Sequence, residues 1–172
     1  MKKYSLLFLP VLLFAFTVIT LKPIDADDSV TFTIKHFGIP AKGELKGLKG
    51  IIKYDPQNPA NSSFNVSVDV NTINTGVDMR DNDLQKETYF NAAKYPTINF
   101  VSTSVNSAGV SGNLTIKGTT RQITMPFTST PEGNGYLFEG KFSINRKDFG
   151  VGGTSFTLGD NVDVLLKVHA NP

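Results

Sequence analysis

Hydrophobic and polar residues alternate along most of this chain with a period of two residues. The clearest run is in residues 64–70, where Phe64, Val66, Val68 and Val70 share one face and polar residues share the other. Comparable runs occupy residues 30–34, 48–54, 97–105, 110–117, 122–129, 136–144 and 162–168. This period is typical of strands that bury one face. The pattern therefore predicts an all-β fold of about eight strands, arranged as a sandwich or a barrel.

One charged segment interrupts the strands. Residues 77–90 are rich in aspartate and other polar residues and lack the alternation on either side of them. A helix-prone segment between two strongly patterned strands is placed to cap a barrel mouth, and barrel mouths are where small ligands enter. We therefore predict one short helical segment that covers one end of a barrel.

The chain starts with a segment typical of exported proteins. Residues 1–3 include two lysines, and residues 6–21 are almost entirely apolar. That run is shorter than the roughly 18 apolar residues of a spanning helix. It predicts a signal peptide over residues 1–26, cleaved after Ala26, and a periplasmic or secreted protein. An uncleaved anchor is the alternative, because Ile24 matches the cleavage pattern poorly.

Composition limits the chemistry of the remaining domain, residues 27–172. The chain has no cysteine, which excludes disulfides and thiolate metal sites. Removing the leader takes away three of the 17 basic residues and one of the 15 acidic ones, so the charges of the domain balance. No basic block remains to follow a phosphate backbone, and we expect no nucleic-acid partner. Thirteen phenylalanines and no tryptophan leave open whether the interior is solid or holds one small ligand.

Catalytic and metal-binding patterns are weak. No G-x-S-x-G motif occurs, and the two histidines, His36 and His169, are far apart in sequence. Two histidines cannot form a three-histidine site, and the aspartates of residues 78–83 lack the glycine and distal glutamate of a calcium loop. We predict no catalytic residue, no metal site and no cofactor.

Several short motifs follow one another along residues 30–170. They include Gly43-Glu44-Leu45, Ile73-Asn74-Thr75-Gly76, Arg80-Asp81-Asn82-Asp83-Leu84, Tyr95-Pro96-Thr97-Ile98-Asn99-Phe100 and Ile144-Asn145-Arg146-Lys147-Asp148-Phe149-Gly150. In their order and spacing they resemble the YceI-like polyisoprenoid-binding proteins of bacterial periplasms. One departure is Asp83, which stands where family members often carry histidine.

The resemblance implies an antiparallel, lipocalin-like β-barrel of about eight strands whose tunnel holds a long lipid chain. The implied function is that of a carrier for an isoprenoid, such as a polyprenyl lipid or isoprenoid quinone, or a related acyl chain. Transient membrane contact and a homodimer are compatible with it. The alternatives are an enzyme or stress-response factor that acts on a bound lipid or quinone, and an interaction module with a solid barrel.

The same resemblance assigns candidate site residues. The tunnel would be lined by the inward faces of the strongest strands: Phe32, Ile34, Phe64, Val66, Val68, Ile98, Phe100, Leu114, Ile116, Phe138, Phe142 and Ile144. Near the mouth, His36, Arg80 and Arg146 would meet a polar head group. For the two arginines a structural role is the alternative, with Arg80 tying the helical segment to the barrel and Arg146 supporting a turn.

Overall fold

The computed structural model describes residues 18–172, and eleven antiparallel strands make up most of it. The strands are β1 (Ile19–Pro23), β2 (Val30–His36), β3 (Ile39–Glu44), β4 (Lys49–Tyr54), β5 (Ser63–Asp69), β6 (Thr97–Asn106), β7 (Gly109–Ile116), β8 (Thr119–Met125), β9 (Phe127–Glu132), β10 (Gly135–Asn145) and β11 (Leu158–Asn171). The α-helix of this described part is α1 (Asp78–Gln85), and short 3₁₀ turns span Pro59–Asn61, Val70–Thr72 and Arg146–Phe149. The predicted all-β antiparallel fold with one short helix is confirmed.

The strands form one curled sheet with β11 at its centre. Along one path the order is β8-β7-β6-β5-β4-β1-β11, and β10 and then β9 continue on the other side of β11. Strand β2 also pairs with β11 and carries β3 at its outer edge. Only Pro126 separates β8 from β9, so the chain passes directly from one end of the path to the other. No ladder joins β8 to β9 in the described residues, and the sheet curls into a half-barrel, which we call the barrel.

The alternating hydrophobic residues point into this barrel. Val66, Phe100 and Leu114 are register neighbours on β5, β6 and β7. Because directly opposed residues of adjacent strands share a face, these three side chains lie together on the inner surface. Burial of this face removes apolar area from water, and that fixes the register of each strand.

Three strands differ from the expectation of about eight. β3 lies between the predicted runs of residues 30–34 and 48–54, where the sequence suggests a connection. It is an edge strand without any buried residue, and its hydrophobic and polar residues do not alternate. The run predicted over residues 122–129 is two strands, since Pro126 cannot donate a ladder hydrogen bond. The third extra strand is β1, at the N-terminal end of the described chain.

Strand β1 lies inside the segment predicted as a signal peptide. Residues 1–17 of that prediction are outside the described residues. β1 pairs with β4 over residues 19–21 and with β11 through Lys22 and Pro23, and Leu21 is fully buried. Among the described residues, no helix has the length and apolarity needed to cross a bilayer.

One end of the barrel is filled by an aromatic cluster. Its members are Tyr54, Phe64, Phe127, Tyr136 and Phe138, with ring centroids 4.9–6.3 Å apart. Most of the pairs are edge-to-face, the arrangement that aromatic quadrupoles favour. This end therefore offers a solid core.

The turn beside the cluster is organised by a buried carboxylate. Asp55 is 1% exposed, and its oxygens accept hydrogen bonds from the amides of Gln57 (3.0 Å) and Asn58 (2.9 Å) and from the Asn61 side chain (2.9 Å). The amide of Asp55 donates in turn to the Ser62 hydroxyl at 3.0 Å. These bonds compensate for the cost of removing the carboxylate from water.

Candidate functional site

The half of the barrel next to α1 contains a cavity of about 590 Å³. This volume falls within the roughly 300–1,000 Å³ of typical small-molecule sites. Strand residues such as Val30 and Val164 form its walls, and Leu84, Tyr89 and Phe90 contribute from α1 and the segment that follows it. The cavity is lined overwhelmingly by hydrophobic side chains.

The structure brings most of the predicted tunnel residues together around this cavity. Ten of them line it: Phe32, Ile34, Val66, Val68, Ile98, Phe100, Leu114, Ile116, Phe142 and Ile144. The other two, Phe64 and Phe138, belong to the aromatic cluster at the opposite end. Both are buried, so alternation placed them on the inner side without revealing how far along the barrel they lie.

Sequence reasoning missed several contributions to the cavity wall, among them Ile123 and Met125 of β8. The inner face of β11 supplies Val162, Val164, Leu166 and Val168, and its alternation carries the same signal as the strands that were chosen. Residues from loops and turns, such as Val151, carry no periodic signal. Their position depends on long-range contacts.

Helix α1 is held over the cavity by a cluster of polar contacts with Thr75. Arg80 donates from Nε to Thr75 Oγ1 (2.7 Å) and from Nη2 to Thr75 O (2.8 Å). The Asp81 carboxylate accepts from the Thr75 amide (2.9 Å) and from its hydroxyl. The chain after the helix is tied down separately, because the Gly152 amide donates to Thr88 O at 2.9 Å. Helix α1, the segment predicted to cap the barrel, is thus held by hydrogen bonds over one end of the cavity.

A minority of the side chains that line the cavity are polar. They are His36, Lys42, Ser67, Thr75, Arg80, Asp83, Arg146, Ser155 and Thr157. His36, Lys42, Arg80 and Asp83 are at least partly exposed, so they mark where the cavity opens to solvent, which we call the mouth. Asp83 also pairs with Lys86 at 2.6 Å. The mouth therefore carries more basic than acidic side chains.

Arg146 lies at the cavity wall but is engaged by the chain itself. Its side chain is 4% exposed. The acceptors are the carbonyl oxygens of Val151 (2.9 Å), Gly153 (3.0 Å), Leu158 (3.4 Å) and Gly159 (2.9 Å), and Asp160 Oδ1 (3.2 Å). All five N–H donors of a guanidinium are accounted for by such a set. The arrangement supports the turn after β10.

The chemistry of this site suits an apolar ligand with a polar end. Within residues 18–172, no group of three or more histidine, aspartate or glutamate side chains is placed to hold a metal ion. The other histidine, His169, does not line the cavity and contacts Glu132 with 2.5 Å between Nδ1 and Oε2.

Comparison with known proteins gives consistent matches. A profile of the YceI-like domain family matches residues 21–170. A UPF0312 protein of Yersinia pestis is 33% identical, over 81% of this chain and 79% of the relative. The crystal structure of Burkholderia cenocepacia BcnA superposes with a TM-score of 0.76 at 28% identity, covering 87% of this chain and 94% of that one.

A further structure shows the same fold at low sequence identity. It is a polyisoprenoid-binding domain from Saccharophagus degradans, with a TM-score of 0.67 and 12% identity, covering 90% of this chain and 99% of that one. At this identity the match concerns the fold alone.

Proposed function

We propose that this chain, which belongs to the YceI-like family, binds one long lipid chain inside its barrel and carries or stores it. The ligand we propose is an isoprenoid, such as a polyprenyl lipid or an isoprenoid quinone, or a related acyl chain. The observation that carries the proposal is the cavity of about 590 Å³, which is lined mostly by hydrophobic side chains. The fold match to a polyisoprenoid-binding domain is in agreement with it.

The affinity for such a ligand comes from burial of its length. Each buried methylene contributes about 0.8 kcal/mol, so roughly ten of them would contribute about 8 kcal/mol before the cost of immobilising the ligand. A wall of hydrophobic side chains provides this binding energy without any specific polar contact. The cavity therefore distinguishes ligands by their apolarity and length more than by their exact chemical structure.

The mouth would receive the head group. His36, Lys42 and Arg80 lie there, and a phosphate, carboxylate or quinone oxygen could accept hydrogen bonds from them. Arg80 keeps its bonds to Thr75 in this arrangement. Arg146 is not part of it, because its donors are directed to backbone carbonyls and to Asp160.

The proposal includes no catalytic step and places the protein in the periplasm or outside the cell. A water-soluble barrel that shields a lipid has a use where lipids must cross an aqueous compartment. The lysine-led apolar start of the sequence is the feature that supports export.

Native mass spectrometry of the purified exported protein tests the proposal. We expect an adduct that organic extraction releases as an isoprenoid or acyl lipid, and we expect the delipidated protein to take up a polyprenyl phosphate or a long fatty acid. Absence of any bound lipid together with no uptake of either probe would refute lipid binding.

A matched pair of variants shows whether the cavity is the binding site. Ile144 lines the cavity, and the neighbouring Ser143 is exposed on the outer face of β10. Filling the cavity with Ile144→Trp should exclude about three methylenes, at a cost of about 2.4 kcal/mol or a roughly 50-fold weaker affinity. Ser143→Trp should bind like the wild type. Equal affinities of the two variants would place the lipid elsewhere.

A further inference from the structure

The most exposed large hydrophobic side chains of residues 18–172 gather at the cavity mouth. Phe156, Met79, Phe37 and Ile39 are 106%, 77%, 71% and 69% exposed, whereas no other large hydrophobic residue in this part exceeds 52%. Val77, at 48%, lies next to Met79 in the chain. We call these five residues the apolar rim. Concentrated apolar exposure of this kind marks an interaction surface.

The apolar rim consists of two groups that border the same cavity. Phe37 lies in the turn between β2 and β3, Ile39 begins β3, and the Phe37 amide donates to Thr157 O at 2.7 Å. This bond places the loop of Phe156 beside that turn, and the neighbouring His36, Ser155 and Thr157 line the cavity. Val77 and Met79, at the start of α1, line the cavity directly. Both groups therefore lie at the edge of the cavity that would receive the ligand.

Phe37, in the turn between β2 and β3, has a strained backbone conformation. Phe37 has a φ of +51°, in the left-handed region that bulky residues rarely occupy. The strain is not relieved by burial, since the ring is mostly in solvent. Residues held in sparsely populated backbone conformations tend to occur at functional positions.

We propose that the apolar rim inserts into the surface of a lipid bilayer, so that a lipid chain passes between membrane and cavity without crossing water. This inference rests on the proposed function, because it gives the cavity its source of ligand. Aromatic and aliphatic side chains stabilise shallow insertion at the boundary between head groups and acyl chains. Lys35 and Lys42 flank the rim, are exposed and have no ion-pair partner among the described residues. Their charge matches that of anionic lipids.

Flotation with vesicles of phosphatidylethanolamine and phosphatidylglycerol tests the proposal. The rim variant is Phe37→Ser with Phe156→Ser. Its control is Ile51→Ser with Val101→Ser, which removes two exposed apolar residues that face outward on β4 and β6. We expect wild type and control to bind vesicles alike. The rim variant should bind about 100-fold more weakly, with roughly tenfold for each aromatic side chain.

The same proteins separate this proposal from the proposed function. The rim variant should still bind a polyprenyl phosphate that is added from detergent, because its cavity is unchanged. Vesicle binding without uptake of any lipid would support membrane insertion by the apolar rim and refute the proposed function of lipid binding. Lipid uptake with equal vesicle binding by the rim variant, or with none by the wild type, would overturn the membrane proposal. A dimer that dissociates in the rim variant, without vesicle binding, would also overturn it and assign the rim to a second copy.

Strand β1 carries a second, independent inference about processing. It is the only link between β4 and β11 along the sheet path described for residues 18–172. The residues after it are also built into the barrel: the Ile24 amide donates to His169 O at 2.7 Å, and the Asp25 carboxylate accepts from the amides of Gly47 (2.9 Å) and Leu48 (3.0 Å). A protein starting at Asp27 would lack all of these contacts.

We infer that the exported protein retains residues 19–26 and that any leader is removed on the N-terminal side of Ile19. Cleavage after Ala26 would remove the fully buried Leu21 and leave two neighbouring strand edges unpaired, which promotes aggregation. Ala15 and Thr17 have the spacing of the small residues at a cleavage site.

N-terminal sequencing and intact mass of the protein recovered from the periplasm or medium test this inference. We expect a chain that includes Ile19. A folded protein whose first residue is Asp27 would overturn the inference. As a second measurement, a chain that starts at Val18 should show a cooperative urea transition, and a chain that starts at Asp27 should show none. Equal transitions for the two chains would count against a structural need for β1.

Discussion

Replacement of Arg146 by methionine distinguishes two roles that the sequence left open for this residue, head-group contact and support of a turn. Methionine keeps much of the apolar stem and removes every hydrogen-bond donor. The structure predicts a loss of stability, because four backbone carbonyls and Asp160 accept from this one side chain. Lipid affinity per folded molecule should stay unchanged.

The size of the loss follows from the burial of these acceptors. Asp160 is 39% exposed, so the loss comes mainly from the carbonyl acceptors. A hydrogen bond to a charged group contributes about 1.5–3 kcal/mol, and each buried acceptor left without a donor costs about 1–3 kcal/mol. Val151 is buried, but Gly153 is exposed, so water can replace some of the lost donors. We therefore expect the free energy of unfolding to fall by about 3–5 kcal/mol, a large part of the 5–15 kcal/mol of a typical domain.

Urea unfolding followed by circular dichroism measures this loss. The control is Lys147→Met, since Lys147 also pairs with Asp160 (2.6 Å) but is exposed. An exposed ion pair contributes about 0–1 kcal/mol, so the control should change stability very little. If Arg146→Met lowers the free energy of unfolding by less than about 1 kcal/mol and lipid affinity falls instead, the turn-supporting role is wrong and the head-group role is favoured.

Two further predictions concern the buried carboxylate and a glycine that packs against Phe32. Hydrogen bonds from the Asn61 side chain and from two backbone amides hold the pKa of Asp55 below its usual value. Because the folded-state pKa lies below the unfolded value of about 3.9, the stabilisation is present above that pH and is lost as pH falls through the folded-state pKa. Between about pH 7 and about pH 3, the free energy of unfolding measured in urea should therefore fall less in Asp55→Asn than in the wild type. An equal fall in both proteins would contradict this prediction. In Gly43→Ala the added Cβ would lie 2.3 Å from Phe32 Cζ, so the ring must shift. Phe32 lines the cavity, and we expect the shift to narrow the cavity and lower lipid affinity. Gly153→Ala, with no atom within 4 Å of the added Cβ, is the control, and equal affinities of the two variants would contradict this prediction.

The fold class could be predicted from the sequence because burial of one strand face leaves a period of two. β5 and β10 show this clearly, and the structure has both. β3 could not be found in the same way, because an edge strand in which no residue is buried needs no alternation of hydrophobic and polar residues. β1 could not be found either, since an apolar strand and the end of an apolar leader have the same composition.

The candidate site could be predicted only in part, for a related reason. Alternation distinguishes the inner from the outer face of each strand, but it contains no information about depth along the barrel. Phe64 and Phe138 therefore resemble Phe100 in sequence, although they belong to the aromatic cluster and Phe100 lines the cavity. The apolar rim was missed because its members lie in loops, at the first residue of β3 and at the start of α1, where no periodicity marks them.

The sequence by itself determined that the chain forms an antiparallel barrel of one family, with a polar helical segment over one end. Strand alternation and motif order are properties of the linear sequence, so they can be recognised without the structure. Tertiary structure alone decided which end of the barrel is solid, that Arg80 and Asp81 both fasten α1 through Thr75, and that Arg146 is turned towards backbone carbonyls. These features depend on contacts between residues that are far apart in sequence. The strand pairing of the curled sheet brings those residues together.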